Sequence, residues 1–271
     1  INCRNAGWRL CSWKEHGRLI EPQRANWRGN SMVTIEYGKE NSDVIMLLHG
    51  GGLSWWNYRE VAESLQSMYH VIIPILDGHA GSDQDFVSIE DNARKIIEYI
   101  DEVHSGSVAL IGGVSLGGQI LLEMLALRSD ICRFAIIESA LVIPMKLTRL
   151  LVKPMMDMSY GLIKQKWFSR LQFRSLKIKK ELYDDYYRDT CNITKENMTA
   201  FLQSNSDYKV RKELEKTSAK AFIFVGGKEP AKMIRSADCL HKMIPGSELK
   251  ILGKWYHGEF SLNHAEEYAD K

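Results

Sequence analysis

The stretch Val108-Ala109-Leu110-Ile111-Gly112-Gly113-Val114-Ser115-Leu116-Gly117-Gly118-Gln119 sets one serine between two different periodicities. Residues 108–112 form a near-continuous apolar run, as in a strand buried on both faces, and residues 118–128 carry helical periodicity. Ser115 therefore falls at a sharp strand-to-helix turn. The G-x-S-x-G spacing of Gly113, Ser115 and Gly117 suits such a turn. A side chain at either glycine would collide with neighbouring backbone once the turn is tight enough to push the serine Oγ outward.

Working outward, short β-rich runs alternate with helix-length segments from Met32 onward, the pattern of a parallel sheet covered by helices on both faces. Strands are predicted at 44–49, 70–76, 108–112, 134–139, 220–225 and 248–252, with Val33-Thr34-Ile35-Glu36-Tyr37 strand-like as well. Helices are predicted at 58–68, 89–103, 116–128 and 231–243. Ser88 and Asp91 form a capping pair for the second, whose buried stripe is Ile89, Ala93, Ile96, Ile97 and Ile100. The expected fold class is α/β: a mostly parallel, doubly wound sheet with an inserted helical cap.

The alternation fails between about 140 and 218, where helix-like segments follow one another with no strand between them. Core segments 32–140 and 219–271 are thus expected to flank a cap or lid at 141–218. From 146 to 180 this insertion carries ten Lys/Arg against the single Asp157, interleaved with Met145, Met155, Met156, Met158, Trp167 and Phe168. Methionine fills irregular space and tolerates varied ligands, as a lid over an apolar pocket requires. The lysines read as a solvated face in preference to a membrane-surface or nucleic-acid site.

With 271 residues, 45% of them hydrophobic, and a formal charge of +2, the chain is long enough for one soluble domain with a large core. No stretch approaches the roughly 18 apolar residues of a membrane span, so no stable membrane insertion is expected. Five scattered cysteines without a C-x-x-C pair argue against a disulfide framework or zinc site and for a reducing, cytoplasmic setting. Residues 1–31 differ from the rest. They hold six Lys/Arg, two acids and three of the seven tryptophans, without a clear period or the apolar core of a secretory signal. They are read as a leader outside the fold, of artificial or upstream-translation origin, with a basic interaction arm as the alternative.

A serine hydroxyl is a weak nucleophile at neutral pH and needs an adjacent base, which the exposed turn at Ser115 leaves room for. Around it, His49-Gly50-Gly51-Gly52 closes the 44–48 run. Asp77-Gly78-His79-Ala80-Gly81-Ser82 follows the next strand, Gly226-Gly227-Lys228-Glu229-Pro230 a later one, and His257 lies beyond the last. In this order the pieces resemble the alpha/beta-hydrolase superfamily, specifically its compact, lidded, carboxylesterase-like serine hydrolases, over nearly all of 44–268. The resemblance implies Ser115 as nucleophile, His257 as base and an acid after the 220–225 strand. Glu229 is the only carboxylate there, although the family more often uses aspartate. Glu138 occupies a second acid location found in some members. The implied oxyanion hole comprises the N–H groups of Gly51 and Leu116, with Gly52 as an alternative to Gly51. His49 would orient the loop, the His79 segment would be structural, and His264 would be a surface or packing residue.

No H-E-x-x-H, P-loop, G-x-G-x-x-G after the first strand or clustered Cys/His spacing is present, so no metal or nucleotide cofactor is expected. The implied reaction is hydrolysis of a small to medium hydrophobic acyl or aryl ester through an acyl-enzyme, with no nucleic-acid partner. Acyl transfer, lactone, amide or carbon-carbon cleavage, and a non-catalytic ligand-binding role stay open, since pocket and cap decide among them.

Overall fold

The structure, a computed structural model, describes residues 13–15, 18–20, 22–27 and 30–271. The short strands β1 (Trp13–Glu15) and β2 (Arg18–Ile20) pair only with each other. The main sheet is built from β3 (Gln23–Trp27), β4 (Asn30–Tyr37), β5 (Val44–Leu48), β6 (His70–Pro74), β7 (Val108–Val114), β8 (Cys132–Glu138), β9 (Lys220–Gly226) and β10 (Glu248–Leu252). Its order is β10-β9-β8-β7-β5-β6-β4-β3. From β6 to β10 every pairing is parallel, whereas β3 and β4 close the other edge antiparallel.

Parallel neighbours need crossovers, and helices supply them. These are α1 (Arg59–Leu65), α2 (Ile89–Val103), α3 (Leu116–Leu127) and α8 (Ala231–Met243), with α9 (Glu259–Asn263) and α10 (Ala265–Ala269) ending the chain. Because successive strand residues point to opposite faces, one sheet feeds two cores. Met46, Leu48, Ile111 and Ile137 join Ile96, Ile120, Met124 and Leu240 of α2, α3 and α8. Ile45, Leu47, Ile136 and Phe224 join Val61, Ala62, Phe260 and Tyr268 of α1, α9 and α10. The predicted cap of α2 is present, Asp91 N–H donating to Ser88 Oγ at 2.9 Å.

Between β8 and β9 come only helices: α4 (Lys146–Ile163), α5 (Lys166–Leu176), α6 (Tyr183–Asn192) and α7 (Lys195–Asp207), with short 3-10 turns. Among the described residues no strand interrupts them.

One boundary moves. Residues 1–31 were expected outside the fold with the strand beginning near Met32, yet Gln23–Trp27 is a sheet strand in register Ala25 opposite Met32. Its Trp27 is buried and meets Tyr99 of α2 edge-on, 5.5 Å between ring centres. An edge strand is mostly exposed, so it lacks the apolar run by which the central strands are legible. Residues 1–12 of the expected leader lie outside the described residues.

Candidate active site

Open parallel sheets present their chemistry beyond the carboxyl ends of the strands, and every segment singled out in the sequence lies there. Ser115, between β7 and α3, has φ 54° and ψ −113°. A non-glycine residue at positive φ is strained and is held only by its surroundings. Here Ser115 N–H donates to Glu138 O at 2.9 Å, and its own carbonyl accepts from Gln119 N–H at 3.0 Å. A Cβ at Gly113 would lie 2.4 Å from Gly117 O, and one at Gly117 would lie 2.1 Å from Leu48 O. Both flanking glycines are thus required by backbone packing on either side of the turn.

Beyond β9, Glu229 is buried, and beyond β10, His257 opens into the adjoining cavity. His257 Nδ1 lies 2.7 Å from Glu229 Oε2. A carboxylate can only accept, so Nδ1 carries the hydrogen and Nε2 is left to face the cavity. The other carboxylate oxygen accepts from Ser139 Oγ and Gly226 N–H, each at 2.7 Å. Burial works against charge on Glu229, but the His257 hydrogen bond and charge, with Ser139 and the Gly226 amide, hold its carboxyl below the usual range. The His257 side chain is 45% exposed at the cavity, so desolvation opposes its charge only in part, and the hydrogen bond and charge of Glu229 outweigh it, placing the imidazole above its ordinary value.

Glu138, the other candidate acid, is not on His257. Its carboxylate turns to the start of α9, accepting from Phe260 N–H at 3.1 Å and Ser261 N–H at 3.3 Å. Burial, partly offset by Ser261, pushes it up to about 7.

The glycine loop after β5 is held by two neutral imidazoles. His49 Nε2 accepts from Leu76 N–H at 3.1 Å, so its Nδ1–H donates to Gly50 O at 3.0 Å. His79 Nε2 accepts from Gly52 N–H at 3.0 Å, and its Nδ1–H donates to Asp77 O at 3.1 Å. Burial lowers His49 to about 3 and His79 to about 4, which removes both as bases near neutrality. The N–H of Gly52 is committed to His79, and Gly50 N–H donates to Asn57 Oδ1 at 3.1 Å. Phe201 of α7 stacks on His79 with ring centres 4.7 Å apart and lies against Gly51.

Ser115, His257 and Gly50 to Gly52 share one cavity of about 230 Å³, closed by apolar residues such as Ile163, Leu176, Met198 and Phe201. Leu116 is buried beside Gly51. His264 stands apart, its ring stacked 3.8 Å from Trp255. Sequence reasoning missed Ser139, which donates to Glu229 and accepts from Gly258 N–H at 3.4 Å. Its only signal was its place one residue beyond a strand at the sheet's carboxyl edge. It also missed Asn57 and Phe201, which no local pattern marks.

A strained serine between a parallel strand and a helix, with a carboxylate-bound histidine opening on the same cavity, defines the alpha/beta-hydrolase class. The Alpha/beta hydrolase family model matches residues 45–271, and the chain belongs to that family. Solved structures share the fold at low identity. An esterase from Thermogutta terrifontis is 14% identical with TM-score 0.73, covering 92% of this chain and 96% of that one. The enol-lactonase from Burkholderia xenovorans LB400 is 14% identical with TM-score 0.75, covering 92% and 97%. An esterase from Exiguobacterium antarcticum is 18% identical with TM-score 0.75, covering 89% and 94%. A curated relative, the magnesium-chelatase 30 kDa subunit of Rhodobacter capsulatus, is 32% identical over 110 residues, which is 40% of this chain. The match spans 38% of that relative's length.

Proposed function

We propose that the protein is a serine ester hydrolase acting on small to medium hydrophobic acyl or aryl esters, with residues 141–218 as its cap. The observation that carries the reading is the 2.7 Å contact of Glu229 with His257 on the cavity that holds the strained Ser115. In this mechanism Ser115 Oγ attacks the ester carbonyl as His257 Nε2 takes its proton. Glu229 fixes the tautomer and stabilises the imidazolium. The N–H groups of Gly51 and Leu116 receive the developing oxyanion. Commitment of the Gly52 N–H to His79 favours Gly51 over Gly52 for this role. His257 then returns the proton to the leaving alcohol, the acyl group stays on Ser115, and a water activated by the same base releases the acid. The apolar lining and small volume of the cavity support a compact hydrophobic acyl group.

The test is turnover of p-nitrophenyl esters of graded chain length, together with labelling by a fluorophosphonate probe. Wild type should turn over and label, and a folded Ser115→Ala variant should do neither. Ester turnover surviving in Ser115→Ala refutes the mechanism. Labelling without ester turnover points instead to acyl transfer, lactone, amide or carbon-carbon chemistry, and neither labelling nor turnover to a ligand-binding role.

A further inference from the structure

We infer that the outer face of α4 and α5, read from the sequence alone as a solvated face, is a docking surface for an anionic lipid bilayer. α4 is apolar on two opposite sides. Val152, Met156 and Ile163 point inward and are buried, whereas Leu147, Leu150, Met155 and Met158 recur on the opposite side at helical spacing. With Trp167 and Leu171 of α5 they are 61 to 85% exposed. A helix on a solvated surface keeps that side polar, and exposed large apolar side chains gathered on one helix side mark an interaction surface.

Charge identifies the partner. Ten Lys/Arg between 146 and 180 face one acid, Asp157, and that acid is taken by Lys195 at 2.9 Å. Lys146, Lys164, Lys166, Arg170, Arg174 and Lys180 have no carboxylate partner among the described residues. Arg170 and Arg174 lie on α5 between and beside exposed Trp167 and Leu171. Cations without a carboxylate, of which Lys164, Lys166 and Arg170 lie over the rings of Tyr160, Tyr187 and Tyr183, stand beside protruding Leu, Met and Trp and match phosphate headgroups above an acyl layer, with Trp at the boundary. A nucleic-acid duplex would take the charge but has no apolar layer to receive Leu147, Leu150, Met155 and Met158. A second copy of the same face would meet its own positive charge. No helix among the described residues is long and apolar enough to cross a membrane, so the docking is peripheral. The inner sides of the same helices line the cavity through Ile163, Gln172 and Leu176, so a docked molecule has its cavity roof against the lipid.

The experiment is co-sedimentation of the full chain with vesicles of phosphatidylcholine alone or mixed with phosphatidylglycerol. Circular dichroism checks the fold of each variant. Binding should require the anionic lipid and fall as salt shortens the Debye length from roughly 10 Å toward 3 Å. Arg170→Gln with Arg174→Gln should weaken it roughly 30-fold, from about 1 kcal/mol per cation. Leu150→Ser with Met158→Ser should weaken it at least about tenfold. The same binding is expected of Ser115→Ala, which separates this surface from the proposed chemistry. Absence of binding to anionic vesicles, equal binding by the folded variants, preferential binding of a duplex oligonucleotide, or burial of the face in a dimer seen by sedimentation velocity would each overturn the inference.

Discussion

Replacing Glu138 with Gln is expected to flatten the pH dependence of folding stability. The carboxyl is buried at the carboxyl edge of the sheet and titrates at about 7 instead of 4.5. At about 1.4 kcal/mol per pH unit, ionising it inside the fold costs about 3 kcal/mol more than ionising it in the unfolded chain. Between pH 4.5 and 7 the unfolded chain has released a proton that the folded protein retains, so the folded state binds more protons. Stability therefore falls as pH rises through this window, and the loss is complete above it. Glutamine cannot ionise, and its oxygen still accepts from the Phe260 and Ser261 amides. Any fixed cost of the amide is the same at every pH, so the signal is the change in the difference between the two proteins. Urea denaturation at about pH 4.5 and about pH 8 should show Glu138→Gln gaining roughly 3 kcal/mol relative to wild type across the interval. Parallel stability profiles would refute the reasoning, because they would mean that the carboxylate ionises in the folded state as easily as in water.

Trp27→Ala removes a buried indole from the edge strand and should destabilise by about 3 kcal/mol, read as a lowered thermal midpoint; no change would place the strand outside the cooperative fold. On the proposed mechanism, wild-type kcat/KM should fall on acidification with an apparent midpoint above 6.5, because Glu229 raises His257 and only the neutral ring could accept the serine proton. Glu229→Gln should lower kcat roughly 10³- to 10⁴-fold by analogy with triad acids generally and shift that midpoint down, whereas an unmoved midpoint would separate Glu229 from the titrating base.

The central sheet was legible because strands buried on both faces must be continuously apolar. The predicted runs at 108–112 and 220–225 became β7 and β9 to within two residues. The β3 edge was not legible. Gln23–Trp27 makes its hydrogen bonds on one side only and carries exposed polar residues, so nothing in its composition demands a strand. At the candidate site, glycine spacing singled out Ser115, and the family resemblance carried by chain order singled out Glu229 and His257. What surrounds them comes from remote segments that meet only in three dimensions. Ser139 and Glu229 are 90 positions apart, yet their contact helps to hold the carboxylate charged. The resemblance favoured Glu229 over Glu138, and side-chain direction separates the two, one toward His257 and the other toward the amides of α9.

That distinction also explains how two glutamates coexist at one sheet edge. Glu229 accepts three hydrogen bonds, one from an imidazole that can carry charge, so its ionised form is favoured despite burial. For Glu138, burial outweighs the Ser261 hydrogen bonds and the His257 charge, and it keeps its proton to near neutrality. Where both are ionised behind His257, their mutual repulsion raises Glu138 and their charge favours the imidazolium. Keeping Glu138 largely protonated below neutrality leaves Glu229 as the principal charge acting on the ring. His49 and His79, both held neutral, add no competing cation to the loop beside Ser115. Glu138, at about 7, and His257, raised above its ordinary value, are thus the groups of this site that titrate near neutrality, and this arrangement of protons depends on burial and hydrogen-bond direction, neither of which is carried by any motif.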